Sequence, residues 1–351
     1  YGGVSHGVEK RSKVRSRIVA DQLVKLIKEA DHVVIMGHRM SDLDAIGSAE
    51  GVLRICKICD VPAVIAVRRD ATLAGSLIDA LCKAGQRDDF IDPKDALPII
   101  SKRTLCIVVD TYQAGLVESK EILEKCGRVA VIDHHRKGVG YIQNPDLVCH
   151  EPYSSSASEL VTELLQYVGE RDDKPNRVEA EGLLSGIMLD TRDFTLHTGV
   201  RTFEAAAALR RYGAETERVR QLFDVTMVEY NAKAGLVEKA KMYRNCAISI
   251  GGEVAAEARV AIAQAANDLL TIQGVDASFV AVQVGTGVNV SARSLGAVNV
   301  QVIMESLGGG GHQTMAAAQL KHITPEAARS RIEGAIDKYY ASQKKGGAEG
   351  K

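Results

Sequence analysis

The chain has 351 residues, enough at roughly 100–200 residues per domain for two domains with cores of their own. Hydrophobic residues at 46% and charged residues at 25% exclude wholesale disorder, and Lys+Arg 44 against Asp+Glu 45 (net charge −1) argues against coating long nucleic acid or an anionic membrane by bulk charge. No Trp and only 10 Tyr and 5 Phe argue against recognition by stacking on many aromatics, no apolar run approaches the roughly 18 residues of a spanning helix, and no signal peptide is visible.

The first residue is Tyr1, which reads as a piece excised from a longer protein. Residues 9–28 settle into helical spacing at Ile18, Leu23, Leu26 and Ile27; the cations Lys10, Arg11, Lys13, Arg15 and Arg17 read as a solvated helix face before they read as phosphate contacts. VVIMG (33–37) is a short apolar strand running into polar residues, followed by a helical stretch at 45–56 and a candidate strand at 61–67. TLCIVVD (104–110) and VAVID (129–133) repeat the strand theme, with a helical run around Leu116–Lys125 between them. An amphipathic helix is expected over 154–168 and a further helix over 178–189, the latter ending in LDTRDF. Continuous apolar strands alternating with helices predict an α/β fold with a parallel sheet covered on both faces.

Residues 202–245 read as a helical connector. From 246 onward AISIGG, RVAIAQA, FVAVQVG and GVNVSARS read as short strands with glycine turns, then a helix and LGGGGH, so a second, smaller α/β domain is expected. The expected divisions are a leading helix at 1–30, a catalytic domain at 31–201, the connector, a second domain at 246–342 and a frayed tail at 343–351. Seven scattered cysteines read as reduced, cytosolic thiols; Cys56 and Cys59 form a CxxC that lacks a second ligand pair and reads as buried small hydrophobes.

Three apolar strands end in potential metal ligands: His38, Asp42 and Asp44 after VVIMG, Asp110 after TLCIVV, and Asp133-His134-His135 after VAVI. Parallel neighbours would bring them to one rim, since open parallel sheets bind ligands outside the carboxyl ends of their strands. Asp190, after GLLSGIML, is a further contributor. Asp42, Asp44, Asp110 and Asp190 together carry about −4, which two divalent cations would neutralise. His38 and His134 would add neutral nitrogen donors. Mixed carboxylate and imidazole ligation suits Mn²⁺ best, with Fe, Co or Zn possible and Mg weaker. Asp110, alone at its strand end, is the candidate bridge between two metals, the layout of metal-activated phosphoester hydrolysis. Each residue alone could be a helix cap or a satisfied polar group; the joint occurrence at three strand ends is what points to a metal site.

A second signal is Gly308-Gly309-Gly310-Gly311-His312, where backbone N–H groups can approach a phosphate and His312 can donate to an oxyanion; a flexible turn is the plain alternative. Upstream, SARS (291–294) presents Arg293, whose guanidinium fork suits a pair of phosphate oxygens.

HRMSDLDAIGS, VVD, DHHR and LDTRDF resemble the four motifs of the DHH phosphoesterase superfamily, and SARS with GGGGH resembles its DHHA1 substrate-binding domain. The opening segment, GHRMSDLDAIG and RSLGAVNVQVIMESLGGGGHQTMAAAQL resemble most closely the catalytic portion of the GdpP-type cyclic-di-AMP phosphodiesterases, over roughly residues 1–340. The resemblance implies one metal held by His38, Asp42 and Asp110, and another held by Asp44, Asp110, His134 and Asp190, with Asp193 as the alternative to Asp190. It implies that His135 faces the phosphate, that Asp133 orients a ligand imidazole, and that Arg293, Ser294, Gly309, Gly310, Gly311 and His312 hold the nucleotide. Proteins of this branch carry two transmembrane helices, a PAS-like sensor and a degenerate GGDEF domain upstream, so a cytoplasmic catalytic portion of a membrane-anchored bacterial parent is expected.

The expected reaction is hydrolysis of one phosphodiester bond of cyclic-di-AMP to linear 5′-pApA with two divalent metals, most suitably Mn, and with Asp110, His135 and Arg39 at the reacting phosphate. A small cyclic dinucleotide is the expected partner, with no long nucleic acid, no membrane contact by these residues, and a homodimer left open. The rivals are a phosphodiesterase of short oligoribonucleotides or pApA, and a nucleotide-binding sensor without turnover.

Overall fold

The computed structural model describes residues 3–135, 140–253, 260–311 and 313–346, with the side chains of 3–12, Arg171, Val260 and 344–346 left aside. The chain divides into two compact units, Tyr1–Asp224 and Val225–Lys351.

In the first unit the elements run α1 (Gly3–Lys28), β1 (His32–Met36), α2 (Leu43–Ile58), β2 (Ala63–Ala66), α3 (Gly75–Leu81), β3 (Phe90–Ile91), α4 (Pro93–Ala96), β4 (Thr104–Val109), α5 (Lys120–Lys125), β5 (Arg128–Asp133), β6 (Leu147–His150), α6 (Ala157–Leu165), α7 (Arg177–Thr191), α8 (Val200–Arg211) and α9 (Thr216–Gln221). The six strands form one wholly parallel sheet in the order β3-β2-β1-β4-β5-β6. Alternate residues bury on opposite faces, as the two-residue period of a strand requires. Val33, Ile35, Leu105, Ile107, Ala130 and Ile132 pack with residues of α1, α2, α6 and α7. Val34, Met36, Cys106, Val108 and Val131 pack beneath Tyr112, Val117, Ile122 and Ile142. The chain builds outward from β1 to β2 and β3, then returns to start β4 on the other side of β1. This reversal is a topological switch point, where open α/β sheets form a crevice.

Several expectations are adjusted. The buried stripe of α1 runs through Val19, Ala20, Leu23, Leu26 and Ile27, while Ile18 is exposed. Residues 116–118 are not helical: Leu116 accepts from the Arg39 backbone N–H, Val117 bridges His38, and the Glu118 N–H donates to Gly37, so their backbone groups tie the two strand ends together. Cys56 is buried in α2 and Cys59 caps its end; among the described residues neither joins a group of potential metal ligands.

Helices α2 and α7 touch at glycines. A Cβ on Gly47 would lie 2.3 Å from the Gly182 carbonyl oxygen, so the two backbones approach as closely as small residues allow. The stretch 202–245 is divided between the units: α8 and α9 fall in the first, and α10 (Met227–Glu238) falls in the second.

The second unit continues with β7 (Lys241–Tyr243), β8 (Cys246–Glu253), α11 (Val260–Leu269), β9 (Ala277–Val284), β10 (Gly287–Ser294), α12 (Val300–Ser306), β11 (Gly310–Gly311), β12 (Met315–Leu320) and α13 (Pro325–Gly346). Its sheet is mixed, in the order β11-β12-β10-β9-β8-β7, with only the β8–β9 pair parallel. RVAIAQA, expected as a strand, leads into helix α11. Its buried residues Ala261, Ala265, Ala266 and Leu269 recur at helical spacing, and alanine favours a helix. No helix among the described residues is long and apolar enough to cross a membrane.

Glu50 of α2 is buried with one carboxylate oxygen unpaired, while the other accepts from Gln86 Nε2. Burial, then the neighbouring Glu179 carboxylate, pushes its pKa from 4.5 up to about 8. A raised pKa means that the folded state holds the proton longer than the unfolded state does. The resulting stability is fully present below pH 4.5 and is lost as pH rises towards 8. Denaturant unfolding between pH 5 and pH 9 should show the wild type losing on the order of 1.4 kcal/mol per pH unit more than Glu50→Gln inside that window. Equal pH profiles for the two proteins would refute the assignment.

Candidate metal centre

The centre assembles at the carboxyl ends of β1, β4 and β5, beside the ends of α2, α6 and α7 in the first unit. Asp42 caps α2: its Oδ1 accepts from the backbone N–H groups of Asp44 and Ala45, both at 3.0 Å. Its Oδ2 lies 3.8 Å from His38 Nε2. Asp44, in the first turn of α2, is fully buried. Its oxygens accept from the backbone N–H groups of Ala157 and Ser158 at the start of α6, each at 2.8 Å. Gly186 of α7 leaves the room for that carboxylate, since a Cβ there would fall 2.6 Å from Asp44 Oδ1 and 2.3 Å from Ser158 Oγ.

Asp110 follows β4 with a φ of +57°, a left-handed conformation that Asp tolerates better than most residues. Its Oδ2 lies 3.4 Å from His38 Nε2, and its Oδ1 lies 3.4 Å from His134 Nε2 and 3.7 Å from His135 Nδ1. His134 Nε2 is also 3.1 Å from Asp190 Oδ2 and 3.9 Å from Asp44 Oδ2. Two donor groups therefore gather, His38–Asp42–Asp110 and Asp44–Asp110–His134–Asp190, each with ligand atoms within 4.8 Å of one another, and Asp110 belongs to both. Asp110, His134 and His135 form a third, overlapping group. Asp193 stands apart, paired with Arg220 at 3.2 Å.

The electrostatics fit cations. Burial, then the carboxylates of Asp110 and Asp190, pushes the Asp44 carboxyl well above its usual range. Burial likewise lifts Asp190 to about 6, against the pull of His134. Burial opposes charge on Asp110 as well, but contacts with His134 and His38 outweigh it and hold its carboxyl low. Burial disfavours the imidazolium of His38, yet Asp110 and Asp42 raise its pKa to about 10, and Asp110 and Asp190 do the same in direction for His134. Protons on these imidazoles offset the carboxylates when no cation does. Asp110 Oδ1 and His134 Nε2 are buried with no hydrogen-bond partner, as expected of atoms aimed at a metal.

Asp133 is buried, and its Oδ1 accepts from both the backbone N–H (3.3 Å) and the ring Nδ1 (2.8 Å) of His135, so the imidazole it orients is that of His135. Burial opposes charge on His135, whereas Asp133 and Asp110 raise its pKa. Arg39 is exposed, and its guanidinium donates to the Gly115 carbonyl. His150, which no motif in the sequence singles out, touches this centre: its Nε2 lies 2.5 Å from the His135 carbonyl oxygen.

The residues of the second unit have local tasks. Arg293 Nη1 donates to Ser291 Oγ and to the Ala292 carbonyl, and Ser294 Oγ accepts from the Gly296 N–H. The Gly309 N–H donates to Met304 and so closes α12. A Cβ on Gly309 would lie 2.2 Å from the Ala317 carbonyl oxygen, and one on Gly311 would lie 2.4 Å from the Ala316 Cα, so glycine lets β11 press on β12. Gly310 has open space where a Cβ would be. His312 lies outside the described residues.

Divalent cations and protons compete for His38 and His134. The rise in melting temperature on adding a divalent cation should therefore grow from pH 6 to pH 9; a pH-independent rise would contradict the imidazole assignment. Gly186→Ala should weaken cation binding by about 10-fold or more through Asp44, read by calorimetry; unchanged affinity would remove Asp44 from the centre.

Comparison with known proteins gives a consistent answer. Residues 32–187 match the DHH family, N-terminal domain, and residues 253–341 match the DHHA1 domain. The chain is 45% identical over 98% of its length to the cyclic-di-AMP phosphodiesterase GdpP of Geobacillus thermodenitrificans, and 40% identical over 98% to the cyclic-di-AMP phosphodiesterase PdeA of Listeria monocytogenes. It spans about half (53%) of the length of each of these relatives. A crystal structure of an exopolyphosphatase-related protein from Bacteroides fragilis shares the fold, with a TM-score of 0.79 at 21% identity over 93% of this chain and 98% of that one. With family matches in both of its units, the chain belongs to the DHH family and carries a DHHA1 domain after its DHH domain.

Proposed function

We propose that the chain is the catalytic portion of a phosphodiesterase that hydrolyses cyclic-di-AMP to linear 5′-pApA with two divalent cations, for which Mn²⁺ suits the donor set. The observation that carries this reading is the sharing of Asp110 between two donor groups at the switch point of the sheet. What supports the substrate is the 40–45% identity to cyclic-di-AMP phosphodiesterases over nearly the whole chain. The proposal includes a membrane-anchored parent protein with this portion in the cytoplasm.

His38, Asp42 and Asp110 would hold one cation, and Asp44, Asp110, His134 and Asp190 the other. When bound, the cations supply a water nucleophile at neutral pH and positive charge against the phosphoryl oxygens. The chain's own residues do the positioning. Asp44 is fixed by two backbone N–H groups of α6, and Asp42 by its capping bonds to α2. The Asp133 carboxylate keeps a proton on His135 Nδ1 and favours the imidazolium, whose Nε2–H would donate to a phosphoryl oxygen. Arg39, which follows His38 and is tied to the Gly115 carbonyl, would offer its remaining donors to the developing charge. In the second unit, Arg293, Ser294, Gly309, Gly310, Gly311 and His312 would hold the nucleotide.

Incubation with Mn²⁺ and, separately, cyclic-di-AMP, cyclic-di-GMP, pApA and a five-nucleotide RNA, followed by chromatography, tests the reading. Cyclic-di-AMP should be consumed fastest, giving pApA; faster cleavage of the RNA would favour the oligoribonucleotide reading, and binding without turnover the sensor reading. Asp110→Asn should lower turnover by at least about 1,000-fold while far-ultraviolet circular dichroism stays native, because one carboxylate serves both donor groups. Wild-type turnover in that variant would remove Asp110 from the mechanism.

A further inference from the structure

His150 is the last residue of β6 and pairs with Asp133, the last residue of β5. From that register its ring reaches two residues past the end of β5, to the His135 carbonyl. A carbonyl oxygen can only accept, so Nε2 of His150 carries the hydrogen. The ring is held in turn by Tyr112, which follows Asp110 by two residues; the ring centroids are 5.4 Å apart at 57°. Tyr112 is buried, and its carbonyl accepts from the Ile142 N–H at 2.8 Å. Tyr141 stacks on Tyr112 with ring centroids 6.4 Å apart.

His135 is thus gripped at three points: its N–H and Nδ1 by one oxygen of Asp133, and its carbonyl by His150. Asp133 alone leaves the carbonyl side of His135 free to shift, and a shift of its Cα would carry the ring with it. The bond from His150 removes that freedom, and the contact of its ring with Tyr112 ties the end of β6 to the segment after β4 that begins with Asp110.

We propose that His150, backed by Tyr112, is a positioning residue that fixes the backbone of His135 and so aims the His135 ring at the reacting phosphate. This rests on the phosphodiesterase reading, but its test separates from it. His150→Phe keeps a ring against Tyr112 and removes the N–H, whereas His150→Gln places an amide N–H where Nε2 was. In the Mn²⁺-loaded protein acting on cyclic-di-AMP, His150→Phe should lower kcat by about 10–100-fold, with KM and melting temperature near wild type, and His150→Gln should recover most of it. In the metal-free protein, the His135 ring resonances should shift in His150→Phe and return in His150→Gln. Wild-type kcat and unshifted His135 resonances in His150→Phe would overturn the proposal, as would equal loss in both variants. Should His150→Phe fail to fold, His150→Leu serves as the variant without a donor. Should the wild type cleave no phosphodiester, the proposed function falls, and the His135 resonances alone still decide the positioning role.

Discussion

Four carboxylates converge on a space of a few ångströms at the rim of one parallel sheet, and the first unit is arranged around that repulsion. Left unpaired, such a cluster would disfavour the folded state, because burial and like charge both raise the cost of ionisation. The chain answers it in layers. Backbone N–H groups at the start of α6 receive Asp44, α2 receives one oxygen of Asp42, and imidazoles lie against Asp110 from both sides. These measures reduce the repulsion without cancelling it. The raised pKa values of Asp44 and Asp190 record the remainder, which is a driving force for binding cations.

The helices serve the same end. Glycines at the contact of α2 with α7 bring their backbones together, and one of them, Gly186, opens the space that the Asp44 carboxylate fills. A stabilising core contact and the geometry of the centre are therefore the same contact. Substitutions that a core would otherwise absorb are expected to reach the chemistry at this interface, and the strained backbone at Asp110 marks the same coupling on the sheet side.

Much of this was legible in the sequence, for definite reasons. Apolar strands buried on both faces read as continuous runs, and each ends where its first polar residues begin, so His38, Asp110 and Asp133 announced their strand ends. Other features depend on partners far away in the chain. His150 gains its contact only because β6 lies in register beside β5, which no local pattern reveals. Residues 116–118 look helical by composition but spend their backbone bonds on the segment after β1. The glycine run invited a phosphate-binding reading, yet part of its need for glycine comes from the close approach of β12. RVAIAQA is apolar in a manner that suits a strand or a helix, and tertiary packing decided for α11.

The left-handed backbone at Asp110 has an evolutionary consequence. That position is specified twice, once by the charge shared between the donor groups and once by a dihedral angle that few side chains accept. Asparagine and glycine satisfy the dihedral and carry no charge. A lineage released from selection for cation binding could therefore drift at this one codon to a folded descendant whose two donor groups no longer share a charge, so loss of the centre need not cost the fold.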